Sequence, residues 1–126
     1  MRMKKPSARS DRSRRVPGAW DVVVVPFPYS DRFAEKRRPA LVVSSNWLRE
    51  EFDLIWVAMI TSRVVPGWSC DVAIEDLGLA GLPSPSVIRP AKLATIEPDR
   101  VLRTIGNVEP SVRQGVLEYL QRFLPS

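Results

Sequence analysis

The chain is a series of short apolar runs separated by polar or Pro/Gly-rich connections, and only its last stretch repeats with a helical period. "WDVVVVPF" (20–27) is a β-branched run stopped by Pro26 and Pro28, the pattern of a buried strand. "PYSDRFAEKRR" (28–38) is a polar loop, and "PALVVSS" (39–45) is a second strand with Pro39 tolerable as its first residue. "NWLREEFD" (46–53) fits one short helical turn capped by Asn46. "LIWVAMITS" (54–62) is the longest apolar run, ending in two hydroxyls, and "RVVPGWS" (63–69) turns at Pro66-Gly67. "CDVAIED" (70–76) alternates, as a half-exposed strand does, and "LGLAGLPSP" (77–85) holds too much Gly and Pro for a regular element. "SVIRPAKLATI" (86–96) is a strand broken by Pro90, predicting an edge or a bulge, and "RVLRTIGNV" (100–108) is a weaker strand. "EPSVRQGVLEYLQRFL" (109–124) is an amphipathic helix with Pro110 at its first position. Val112, Val116, Leu120 and Leu124 recur every four residues, and Leu117 and Phe123 widen the stripe.

Five or six short strands and one terminal helix predict a mainly β domain, a small barrel or strongly bent sheet whose open side the helix closes. At 126 residues, one domain is expected. Its boundaries are 17–126, preceded by a disordered basic tail over 1–16. That tail carries seven basic residues against Asp11, a charge of +6, so a net charge of +5 leaves −1 for the body. The high pI therefore belongs to the tail and does not by itself argue for nucleic acid. No apolar run approaches the length of a membrane span, and the basic N-terminus lacks the apolar stretch of a secretory signal, so a cytoplasmic protein is expected. One cysteine, Cys70, forms no intrachain disulfide and suits a reducing compartment. Histidine is absent, which removes the usual imidazole acid or base and the commonest zinc ligand, so neither a metal nor another cofactor is expected.

There is no Gly-rich phosphate loop and no Ser/His/Asp set. What remains are phosphate-binding groups at strand ends. Arg38 opens the second strand, and Thr61 and Ser62 close the third. If these strands are antiparallel neighbours, the guanidinium and the two hydroxyls share one rim, and Arg89 and Lys92 could face the same mouth. Arginine offers a planar fork of donors that matches phosphate and keeps its charge at neutral pH. Each residue has a plainer reading as well: an Arg before Pro is usually solvated, a Thr-Ser pair usually starts a turn, and Trp47 and Trp56 suit a core or an interface.

The stretches "DVVVVPFPYSD" (21–31), "RPALVVS" (38–44) and "MITS" (59–62) go further. In this order and spacing they resemble the MazF/PemK family of toxin–antitoxin ribonucleases, over roughly residues 19–124. The resemblance implies a small Src-homology-like β-barrel of the CcdB/PemK kind, homodimeric, that cleaves single-stranded RNA without metal and stops translation. It also implies a cognate antitoxin lying in the RNA groove. By motif match, Arg38 and the pair Thr61-Ser62 are the catalytic candidates, and Arg89 is the later-strand arginine. Asp31, Glu35, Arg37, Arg89 and Lys92 are the expected RNA contacts, with Asp31 or Glu35 as substitute base and Asp71 a poorer one. Many PemK-type members carry an acid two positions after the later-strand arginine; here that position is Ala91. Two other readings stay open: an inactive module of this fold that binds RNA or antitoxin, and a CcdB-like gyrase poison.

Overall fold

The computed structural model describes residues 16–27, 36–63 and 66–126. The basic tail up to Arg15, and the loop residues Asp31 and Glu35, lie outside the described residues. Six strands form one antiparallel sheet in the order β4-β5-β3-β2-β1-β6, curled into a half-barrel with a C-terminal helix. They are β1 (Asp21–Phe27), β2 (Lys36–Val42), β3 (Ile55–Ser62), β4 (Val72–Ala73), β5 (Ser86–Ile96) and β6 (Arg103–Asn107). The helices are α1 (Asn46–Phe52), α2 (Leu77–Ala80) and α3 (Pro110–Phe123), with a 3-10 turn at Pro98–Arg100.

Strand alternation divides the apolar residues between two cores. Val22, Leu41, Ala58, Ile60 and Ile88 lie on one face, where α3 covers them with Val112 and Val116 and the α2 region adds Ala80 and Leu82. Val23, Val25, Ala40, Val42, Val57 and Met59 lie on the other, closed over by Ile96 and Val101 as the sheet curls. Each Val, Leu or Ile buried this fully contributes about 1.5–3 kcal/mol. The apolar run 54–60 is mostly spent inside the molecule. Val57–Ile60 are all buried, and Trp56 is its exposed aromatic. The helical stripe is narrower than its sequence suggests: Val112 and Val116 are buried and Leu120 packs beside them, whereas Leu117, Phe123 and Leu124 are exposed.

Several elements depart from the sequence pattern, each for a local reason. β2 begins at Lys36 rather than Pro39, because β1 draws the charged residues into its ladder through Val24↔Pro39, Val25↔Arg38 and Phe27↔Lys36. Asn46 does not cap α1. Ser45 holds the N-cap position, and the Asn46 side chain accepts the Ala19 N–H at 3.0 Å. With Asp21 Oδ2 accepting the Gly18 N–H, this clasps the entry to β1 onto α1. The segment expected to be irregular contains α2. Asp76 Oδ1 accepts the Leu79 N–H at 3.0 Å, and Gly81 ends the turn at φ 74°. β4 shrinks to two residues.

Candidate functional site

The β2–β3 ladder stops short of Arg38 and Thr61 at one missing hydrogen. Val42 O accepts from Trp20 N, while Val43 N donates to Trp56 O. Backbone groups of even-numbered β2 residues therefore point to β1 and odd-numbered ones to β3. Pro39 thus aims at β3 a nitrogen with no hydrogen. The β2–β3 ladder ends at Ala40↔Met59, while β1–β2 pairing continues to Lys36 and β3–β5 pairing continues to Ser62. Beyond Met59, two strands held by their outer neighbours run on with no further ladder pair between them. Two residues past the last pair, Arg38 stands level with Thr61 across this unzipped stretch.

Both side chains belong to the Ala40/Met59 face by alternation. Arg38 and Thr61 are half-buried, and Arg37 is exposed. Ser62 is different. It lies on the Ile60 face, opposite Ser86, so the adjacent hydroxyls expected to share a rim with Arg38 point to opposite sides of the sheet. Of the two hydroxyls, only that of Thr61 shares a face with Arg38.

Arg89 pairs with Met59, two positions before Thr61 on the same face. Its guanidinium is gripped by Asp71: Nε to Oδ1 is 2.8 Å and Nη2 to Oδ2 is 2.9 Å, with both side chains 11% exposed. Continuing the pair Val72↔Ile88 by one residue sets Asp71 directly opposite Arg89, so register makes the bridge. The hydrogen bond from Arg89, with one from the Trp68 backbone, holds the Asp71 carboxyl below its usual range. The bridge and the lowered proton affinity both weaken Asp71 as a base. Arg89 spends its fork on this carboxylate, so it is first a structural partner of Asp71.

Immediately after Arg89 the register against β3 moves from Met59↔Arg89 to Ala58↔Leu93, so Pro90, Ala91 and Lys92 form a bulge in β5. The strand-breaking Pro90 thus sits in a bulge, as its sequence predicts. The bulge brings Lys92 to the same place as Arg89: their cationic groups lie 5.5 Å and 4.5 Å from the ring centroid of Trp68. Trp68 was not singled out from the sequence. A signal was present, since a tryptophan after Pro66-Gly67 in a turn has no core to enter. Among the described residues, no three His, Cys, Asp or Glu side chains come together as a metal site, and no helix is long and apolar enough to cross a membrane.

Residues 19–124 match the model of the family described as the PemK-like, MazF-like toxin of type II toxin–antitoxin systems. Solved structures agree in fold. MazF from Deinococcus radiodurans superposes with a TM-score of 0.70 at 22% identity, over 86% of this chain and 96% of that one. The Mycobacterium tuberculosis toxin MazF-mt6 gives 0.65 at 24% identity, over 81% and 93%. An endoribonuclease in complex with its cognate antitoxin, from a mycobacterial species, gives 0.65 at 18%, over 89% and 98%. No curated protein sequence matches the chain.

Proposed function

This chain belongs to the PemK-like, MazF-like toxin family of type II toxin–antitoxin systems, and from that premise we propose that it is a metal-independent endoribonuclease that cleaves single-stranded mRNA. The observation that carries the reading is the placement of Arg38 and Thr61 level with each other, on one face, where β2 and β3 no longer bond. A phosphodiester entering this gap meets a fixed positive charge on one side and a hydroxyl on the other.

The reaction needs little else from the protein. The ribose 2′-oxygen attacks its own phosphorus and loses its proton. The bond to the 5′-oxygen breaks, and that oxygen takes up a proton. The products are a 2′,3′-cyclic phosphate and a 5′-hydroxyl. Because the substrate carries the nucleophile, DNA is not cut. Charge builds up on the phosphoryl oxygens along the way, and a preorganised donor aimed there stabilises it. Arg38 fills that role, since a guanidinium with an intrinsic pKa of about 12.5–13.8 is a poor proton donor at neutral pH but a permanent charge. Thr61 orients the phosphate through its hydroxyl. Lys92 and Arg37 guide the backbone of the strand, and Ser62 is assigned no contact with the reacting phosphate. Asp31 and Glu35 remain the candidates for the base.

A homodimer held in check by an antitoxin that occupies the same groove completes the proposal. The mycobacterial relative solved with its cognate antitoxin supports the partner. Expression in a growing cell tests the reading. Wild type arrests growth, and Arg38→Ala at equal expression does not. Arrest that survives the substitution excludes RNA cleavage and favours a gyrase-directed poison, which would act through protein contacts away from Arg38.

A further inference from the structure

The geometry points to Trp68 as the platform on which one unpaired RNA base stacks beside the scissile phosphate, with Lys92 meeting the neighbouring backbone phosphate. The inference rests on the ribonuclease reading and names a subsite for it.

Trp68 is 45% exposed although tryptophan carries one of the largest apolar surfaces of any residue. Other tryptophans are also exposed, but in a different setting. Trp47, for example, packs edge-on against Phe52 at 5.6 Å. Trp68 instead has cations against its ring, Arg89 at 4.5 Å and Lys92 at 5.5 Å. An aromatic face flanked by positive charge is how proteins hold single strands: the base stacks and the phosphate is neutralised.

The ring is also held in place. The Trp68 N–H donates to Asp71 Oδ2 at 2.9 Å, and the Asp71 N–H donates back to Trp68 O at 3.0 Å. The same Asp71 carboxylate grips the Arg89 fork, and the Arg89 guanidinium lies on the Trp68 ring. Backbone, carboxylate, guanidinium and indole form a closed circuit that fixes the ring before any ligand arrives, which lowers the cost of ordering it on binding. Arg89 is thereby a positioning residue. It is also the link to the chemistry, because it pairs with Met59, two residues from Thr61 on the same face. The platform stands one step along the sheet from the Arg38–Thr61 gap, where a nucleotide next to the cut would lie.

The test uses the full chain and an RNA oligonucleotide carrying its cut motif, made uncleavable by a 2′-deoxy residue at the cut. Abasic nucleosides replace the bases near the cut one at a time. Trp68→Ala should weaken binding roughly 5- to 150-fold, the range that base–aromatic stacking supplies. It should raise KM for the cleavable RNA by a similar factor, with kcat at saturation changing far less. Trp68→Phe should keep most of the affinity. One abasic position should weaken wild type by the same factor yet cost Trp68→Ala nothing more. If Trp68→Ala binds and cleaves as wild type does, the subsite is refuted while the ribonuclease stands. If wild type neither binds nor cuts RNA, both fall. Should Trp68→Ala fail to fold, the abasic scan of wild type decides: an affinity insensitive to every single base removal overturns the platform.

Discussion

Asp71 and Arg89 lock together across the β4–β5 edge through two parallel bonds, Oδ1 to Nε at 2.8 Å and Oδ2 to Nη2 at 2.9 Å, with each side chain 11% exposed. The bridge sets what each residue can do. An aspartate whose proton affinity is lowered by an arginine is a weakened base, and an arginine so occupied acts first as a strut.

The bridge predicts a pH signature. The folded-state pKa of Asp71 lies below its ordinary value, so the unfolded chain takes up the proton first as pH falls. The stabilisation is complete above the unfolded pKa and disappears as pH drops through the lowered folded one. Asp71→Asn should cost about 1–3 kcal/mol at pH 7, between the values for exposed and fully buried pairs. Urea denaturation of the two proteins should converge as pH falls from 5 towards 2. A gap that stays constant over that range would refute the assignment.

Thr61 and Ser62 are neighbours in sequence and occupy opposite faces of β3. Thr61→Ala should lower kcat by about 10²-fold, as losing a preorganised donor does. Ser62→Ala should stay within about threefold of wild type in kcat and KM. Steady-state cleavage of one RNA by both variants measures this. Equal losses would show that the strand end twists both hydroxyls into the site.

The α2 turn and β6 touch backbone to backbone. A Cβ on Gly81, which sits at φ 74°, would lie 2.1 Å from Ile105 O, and one on Gly106 would lie 2.3 Å from Leu79 O. Neither carbonyl can yield without moving its strand or turn. Gly81→Ala and Gly106→Ala should each cost more than about 2 kcal/mol, adding overpacking to backbone strain at Gly81. Gly78→Ala, whose Cβ would meet nothing closer than 3.6 Å, is the control and should change the thermal midpoint little.

Much of this was legible in the chain. The β-branched runs marked β1 and β3 because strands buried on both faces need continuous apolar sequence. The bulge was legible in Pro90, and the start of α3 in Pro110. What misled were residues whose partners lie far along the chain. Lys36–Arg38 look like loop until β1 pairs with them. Asn46 looks like a cap until Ala19 claims its side chain. The α2 turn is one N-cap bond and one glycine long, too brief for any period to show. In the candidate site, the shared face of Arg38 and Thr61 followed from strand order. The separation of Ser62 required the actual register, and the Asp71–Arg89–Trp68 circuit required knowing that β4 lies beside β5.

The most direct measurement is cleavage of a long single-stranded RNA in EDTA by wild type and Arg38→Ala, beside a substrate with 2′-deoxy residues at the cut sites. The account predicts that wild type cuts at a short recurrent motif and leaves cyclic phosphate ends. It also predicts a loss of 10²-fold or more in rate for Arg38→Ala, and no cutting at the deoxy positions. Cleavage by Arg38→Ala at the wild-type rate, or cleavage at the deoxy positions, would contradict it.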